Sequence, residues 1–198
     1  KIEDFRSQLK NLLVNLNIQK INLVGFSIGA LIAIDFASEH KKYLNSLTLV
    51  ATTYKRTDEE RQRVIDRLNL AKENKPISKL AMKRWFSDKY LENNPAIYKE
   101  FMNILNKSGD DYENFIKAYD LFANYIDDET KVKKIDVNTL ILTGSDDPGS
   151  TSEMSRELNN DIPKSKFIEI KGGKHLCSIE FADDVNNAIK EHIKNEQN

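Results

Sequence analysis

Cysteine is nearly absent from this chain of 198 residues: Cys177 is the only one. A lone cysteine excludes an internal disulfide, and a reducing cytoplasm is the default expectation for such a chain. Long apolar runs are missing too. None approaches the length of a membrane-spanning helix, and no stretch has the charged start and apolar centre of a signal peptide. Charge of one sign is also lacking. The 30 basic and 31 acidic side chains leave a net charge of −1, so nothing in the total balance points to nucleic acid or to an anionic membrane surface. Only seven glycines and four prolines occur. A pattern that fixes two of those glycines has little chance of arising at random.

Such a pattern is present. Ile21-Asn22-Leu23-Val24 leads into Gly25-Phe26-Ser27-Ile28-Gly29. This is the G-x-S-x-G arrangement in which a serine sits on a sharp strand-to-helix turn. The tight turn predicts that Gly25 and Gly29 both remove side chains that would collide across it. Ser27 then projects its hydroxyl above the sheet. The Ile28 N–H, at the positive end of the following helix, faces the place where an oxyanion would form. Taken alone the motif also fits a plain strand–helix joint, with Ser27 as a helix cap.

The remaining patterns run in order. Ile2–Leu16 places Phe5, Leu9, Leu12, Leu13 and Leu16 at helical spacing, which predicts an amphipathic helix packed on a sheet. Ile28–Ser38 is apolar almost all round and predicts a buried helix closed by His40. Leu44–Ala51 reads as the next strand, joined to the first by a right-handed parallel crossover. From Thr57 to Ile135 no strand is legible. Helical patterns cover Arg61–Leu70, Ile77–Phe86, Ala96–Leu105 and Asp111–Ile126, and this block holds the only Trp and five of the seven Tyr. Those aromatics are read as the block's own core, with one or two turned toward a site. Strands return at Val137–Thr143 and Ser165–Ile170, with helices at Thr151–Asn159 and Ile179–Ile193. The order predicts an α/β parallel sheet flanked by helices and interrupted by a helical lid. The core spans 1–56 and 136–198, and the cap spans 57–135.

In a parallel sheet, functional residues collect beyond the carboxyl ends of strands. Ser27, the Asp146-Asp147 pair and His175 all fall there. A serine hydroxyl needs a neutral imidazole to take its proton, and the imidazole needs a carboxylate to orient it. Of the other histidines, His40 and His192 are read as solvated. Cys177 is read as a buried structural thiol. No His, Cys or Asp cluster has metal-ligand spacing, and the chemistry requires no cofactor.

These stretches resemble the α/β-hydrolase superfamily. They are Val24 to Ala30, Leu140 to Pro148, and Gly172-Gly173-Lys174-His175-Leu176 with Glu180 and Phe181 beyond. The resemblance implies a Ser27, Asp147, His175 triad, with Asp147 rather than Asp146 as the acid, and Ile28 N–H in the oxyanion hole. Within the superfamily, Lys83-Arg84-Trp85-Phe86-Ser87, Asn94-Pro95 and Tyr112…Phe115…Ala118-Tyr119 are similar to the lid of 3-oxoadipate enol-lactonases and allied small esterases. The expected substrate is thus a small carboxylic ester or lactone, with Phe26 and Trp85 as pocket walls. Thioesterase, carbon–carbon hydrolase and perhydrolase chemistry use the same triad and remain open. So does a non-catalytic fragment that binds a partner chain. Superfamily members usually carry further strands and a His-Gly loop ahead of the first helix, and nothing here matches them. The expectation is a chain truncated at its N-terminus, or one completed by a second polypeptide or a homodimer partner. Ala30, where many relatives have glycine, is a mild departure.

Overall fold

The computed structural model describes residues 1–106 and 108–194. Position 107 of the cap range and the last four positions of the core range lie outside the described residues. Four parallel strands form one sheet in the order β1-β2-β3-β4: β1 (Ile21–Phe26), β2 (Leu44–Val50), β3 (Thr139–Gly144) and β4 (Ser165–Ile170). The strands step across the sheet in one direction. Right-handed crossovers therefore place the connecting helices α2 (Ile28–His40) and α9 (Ser152–Asp161) on one face. Helices α1 (Ile2–Asn15) and α8 (Glu129–Val132) pack on that same layer, and α11 (Ala182–Lys194) covers the opposite face against β2 and β3.

Strand periodicity divides the core accordingly. Leu47, Leu49 and Ile141 join Phe36, Ile34 and Leu158 in one cluster. Their neighbours Val50, Leu140 and Leu142 turn to the other side and meet Val185 and Ala188. Helix α2 buries seven residues, from Ala30 to Ala37, which accounts for its nearly uniform apolar sequence. One of the seven is Asp35, whose carboxylate pairs with Arg6 at 2.8 Å and Lys131 at 2.9 Å and so ties α1 and α8 to α2.

Three expectations need correction. Helix α1 packs chiefly on α2, through a narrower apolar face than its spacing predicts. Leu13 is buried and Leu9 leans on the core, while Leu12 and Leu16 lie on the next stripe round the helix and are exposed. His192 is not solvated: it is buried, and its Nε2–H donates to the Leu47 carbonyl at 3.1 Å. His40 is half-buried, because its ring packs edge-on against Phe36 and beside Tyr43.

Between β2 and β3 only helices occur among the described residues: α3 (Asp58–Lys72), α4 (Ser78–Trp85), α5 (Asp88–Asn93), α6 (Pro95–Leu105), α7 (Asp110–Ala123) and α8. Thr57 starts α3 with a reciprocal capping box: its hydroxyl accepts from Glu60 N–H and the Glu60 carboxylate accepts from Thr57 N–H. Pro95 opens α6, where a missing N–H has no cost. The short helices α5 and α8 escaped the sequence reading because they are too brief to show a period. Two small cores result. One joins α3 to α7 through Val64, Leu68, Phe122 and Ala123. The other joins α4 to α6 through Met82, Trp85, Phe86 and Phe101, and continues into Leu176 of the core. A second tie is polar: Glu180, in the single-turn helix α10 (Cys177–Glu180), accepts from both the backbone N–H and the hydroxyl of Ser87.

The segment after β2 is tied down electrostatically. Asp161 accepts from Lys55 Nζ and from Tyr54 Oη, each at 2.7 Å. Lys55 first and Tyr54 second hold its carboxyl below the ordinary value of 3.8. A carboxyl whose folded pKa is depressed contributes stability above its unfolded value, and that contribution disappears as pH falls through the folded pKa. Asp161→Asn is therefore expected to flatten the acid limb of a plot of Tm against pH below about pH 4. An unchanged acid limb in thermal melts would refute this. Among the described residues no helix is long and apolar enough to cross a membrane.

Candidate active site

Strand β1 ends at Phe26 and α2 begins at Ile28, so Ser27 alone makes the turn. Its φ of 53° and ψ of −120° lie where non-glycine residues are rare, a conformation that costs about 1–3 kcal/mol. Three contacts hold it. Ser27 N–H donates to Val50 O at 2.9 Å on the neighbouring strand, and Ser27 O accepts from Ala30 N–H at 2.9 Å. A Cβ on Gly25 would sit 2.5 Å from the Gly29 carbonyl oxygen, so the strand and helix approach this closely only because Gly25 has none. Gly29 departs from expectation. A Cβ there meets no atom within 4 Å, so it is the carbonyl of Gly29, not its missing side chain, that crowds the turn.

His175 comes from the loop after β4. Its Nε2 lies 3.0 Å from Ser27 Oγ and its Nδ1 lies 2.7 Å from Asp147 Oδ2. A carboxylate only accepts, so Nδ1 carries the proton and Nε2 presents its lone pair to the serine hydroxyl. Asp147 is buried, and its other oxygen accepts from Gly149 N–H at 2.8 Å and Ser150 N–H at 3.0 Å. Asp146 is exposed and receives the Ser145 hydroxyl at 2.7 Å. The choice between the two aspartates thus falls on Asp147. The loops bearing Asp147 and His175 are zipped together: Ser145 N–H donates to Ile170 O and Asp146 N–H to Gly173 O, both at 2.9 Å. This contact brings Gly144 so near Gly173 that a Cβ on Gly144 would lie 2.1 Å from the Gly173 carbonyl oxygen.

The end of α4 is bound to the same loop. Leu176 N–H donates to Trp85 O at 2.9 Å, and Lys174 Nζ to Lys83 O at 2.8 Å. The helical insertion therefore meets the loop after β4 beside the imidazole. A cavity of about 1080 Å³ opens there, lined by Ser27, Ile28 and His175 and, from the helical insertion, by Trp85, Tyr119 and Ile116 among others. Trp85 lines it as expected. Phe26 is not among the lining residues; its ring packs 5.2 Å from the His175 ring. As the first residue of α2, Ile28 offers an N–H without an intrahelical acceptor at the cavity wall. Arg67 and Arg84 also line the cavity. The sequence reading gave them no role, although Arg84 directly precedes Trp85, and a cation beside a pocket aromatic is a visible signal.

Cys177 is buried, and burial pushes its thiol up to about 11. It is expected to resist iodoacetamide at pH 8 in the folded protein and to alkylate fully in denaturant. Rapid native labelling, read by mass spectrometry, would contradict that. Among the described residues no three His, Cys, Asp or Glu side chains come together as a metal site.

The comparisons bear on the fold. The family described as the α/β hydrolase fold matches residues 1–182. The chain is 27% identical to (E)-2-((N-methylformamido)methylene)succinate hydrolase of Acinetobacter baylyi, covering 96% of this chain and 71% of that protein. It is 22% identical to 3-oxoadipate enol-lactonase 2 of the same organism, covering 98% of this chain and 71% of the relative. The crystal structure of the enol-lactonase from Burkholderia xenovorans superposes with a TM-score of 0.84 at 21% identity, over 98% of this chain and 73% of that one; at that identity the match establishes the fold. Sheet, strand-to-helix turn, helical insertion and family match converge, and the chain belongs to the α/β-hydrolase fold family.

Proposed function

We propose that the chain is a serine hydrolase that cleaves a small carboxylic ester or lactone, with residues 57–135 as the cap over its site. The observation that carries this reading is the unbroken line from Asp147 through His175 to Ser27, at 2.7 and 3.0 Å. Ser27 Oγ attacks the carbonyl carbon while its proton passes to His175 Nε2. Asp147 stabilises the resulting imidazolium. The carbonyl oxygen becomes an oxyanion facing the Ile28 N–H. The carbon–oxygen bond to the leaving alcohol then breaks, and that alcohol takes the proton from Nε2. In a lactone it stays attached to the acyl chain. Water attacks the acyl-enzyme, gives its proton to Nε2, and the acid departs as Ser27 recovers a proton. The lactonase name of one Acinetobacter relative supports this choice of bond, and the hydrolase name of the other supports hydrolysis in general.

The test combines intact mass after a fluorophosphonate probe with turnover of 4-nitrophenyl butyrate and dihydrocoumarin. A single adduct on Ser27 and measurable turnover are expected. A folded protein that neither labels nor hydrolyses any ester or lactone would overturn the reading.

A further inference from the structure

We propose that Arg56 is a positioning residue for the substrate cavity: its guanidinium fixes the end of α7 and so sets how long an ester the cavity beside Ser27 accepts. This rests on the hydrolytic reading above and says what tunes that site. Tyr112, Phe115, Ile116, Tyr119 and Phe122 all line the cavity. At spacings of three and four they form one face of α7, so a shift of this helix moves the whole wall at once.

The end of that helix is held from outside. The last carbonyls of a helix lack intrahelical donors and carry the negative end of its dipole, yet the last turn of α7 contains no basic side chain. Arg56 supplies the cation and the donors. Its Nη2 donates to Phe122 O at 3.1 Å and to Tyr125 O at 2.7 Å, and its guanidinium carbon lies 5.0 Å from the centre of the Phe122 ring. It therefore grips a cavity-lining residue by both backbone and ring. Arg61 adds a bond to Tyr125 O at 3.0 Å. The backbone aims this grip. Lys55, just before Arg56, has a φ of 48°, in the region that favours glycine, and its N–H donates to Asp127 Oδ2 at 2.9 Å. Its Nζ is anchored to Asp161, at the end of α9, at 2.7 Å. Residues 55–61, which enter the helical insertion, are thus fastened to residues 122–127, which lead back out of α7.

Stability does not explain this choice of side chain. Arg56 is buried, its Nε and Nη1 meet no hydrogen-bond partner, and it makes no ion pair among the described residues. Burial first and Arg61 second push its pKa down. Taking such a charge out of water costs more than seating an apolar side chain in the same space. What a guanidinium adds is direction: a rigid planar fork ties two carbonyls and stacks on a ring at once.

The experiment measures kcat and KM for 4-nitrophenyl acetate, butyrate and octanoate in wild type, Arg56→Met and Arg56→Lys. Arg56→Met is expected to raise KM for the preferred ester about 5- to 30-fold with kcat within about threefold, since the triad is untouched and binding alone is lost. The ratio of kcat/KM for octanoate to that for acetate should change at least about fivefold, and Arg56→Lys should restore part of it. A merely structural Arg56 would lower Tm and leave KM and that ratio as they are. An unchanged ratio in folded Arg56→Met overturns the proposal, as does a uniform loss of kcat with KM unmoved. Where Arg56→Met fails to fold in thermal melts, Arg56→Lys decides: a ratio changed by about twofold or more sustains the role, and no change overturns it. If wild type turns over no ester, the hydrolytic reading fails, and hydrogen exchange decides the hold on α7. Amides of residues 118–125 that exchange about tenfold faster in Arg56→Lys, with β3 unchanged, sustain it; equal exchange removes it.

Discussion

Ser27→Ala is expected to lower kcat/KM for a hydrolysed ester by about 10⁵- to 10⁶-fold, the loss seen when a nucleophile of this kind is removed. The size follows from cooperation. His175 and Asp147 act only by taking the Ser27 proton and stabilising the cation that results, so without the hydroxyl they have nothing to do. The residual rate would come from substrate held in the cavity beside the Ile28 N–H. Fold should be untouched, since the three contacts that hold the turn use the backbone of Ser27 and the absent side chain of Gly25. Alanine even removes a polar atom from a strained position without relaxing it. The measurement is steady-state hydrolysis with the fluorophosphonate adduct as a control. A decrease of less than about 100-fold would mean that the hydroxyl is not the nucleophile.

Gly144→Ala is expected to be the most damaging small substitution in the core, at about 3–5 kcal/mol of stability. Its Cβ would lie 2.1 Å from the Gly173 carbonyl oxygen and 2.4 Å from the Gly173 carbonyl carbon. Both atoms are backbone, in a loop pinned by the Asp146-to-Gly173 and Ser145-to-Ile170 hydrogen bonds. The loop can yield only by breaking these bonds, and its movement carries Asp147 away from His175. Urea denaturation and ester turnover should therefore fall together. Gly29→Ala is the contrast. A Cβ there meets nothing within 4 Å, and alanine is the better helix former by up to about 1 kcal/mol, so its stability should hold or rise. Equal losses at the two positions would show that the close approach of the two loops is not what fixes Gly144.

The two glycines also mark where the sequence is legible. Gly25 and Gly29 look equivalent in the G-x-S-x-G pattern, yet only Gly25 faces an obstacle, because the crowding depends on the crossing of strand and helix. That Ser27, His175 and the Asp146-Asp147 pair lie beyond strand ends could be read in advance, because chain order and strand ends are visible as patterns; those patterns alone do not separate Asp147 from Asp146. Strands β2 and β3 are short, largely apolar runs between turn residues, and α2 is apolar apart from Asp35 until its last turn; burial on both sides leaves that mark. His192 could not be read. It stands on a helix of otherwise amphipathic pattern, and the Leu47 carbonyl that its Nε2–H meets is brought near by the sheet. Phe26 and Trp85 were equally plausible pocket walls by sequence. Which one faces the cavity is decided by how the helical insertion docks on the loop after β4, where the Trp85 carbonyl takes Leu176 N–H and the Lys83 carbonyl takes Lys174 Nζ, a meeting of distant segments that the local pattern does not show.

The place of the helical insertion has a kinetic consequence. Pairing of β1 with β2, and of β3 with β4, joins residues about 25 positions apart, whereas pairing of β2 with β3 joins residues about 90 apart. The chain is thus two local β–α–β units separated by a long tether. Closing the longer loop costs only about 1 kcal/mol more than closing a short one, because the entropy grows with the logarithm of length. Equilibrium stability is then almost indifferent to how many residues the tether contains. Speed is not, because distant contacts are the late and slow ones. The two halves of the sheet are expected to form early and wait for each other, so the union of β2 with β3 becomes the step that assembles serine, acid and base in one place.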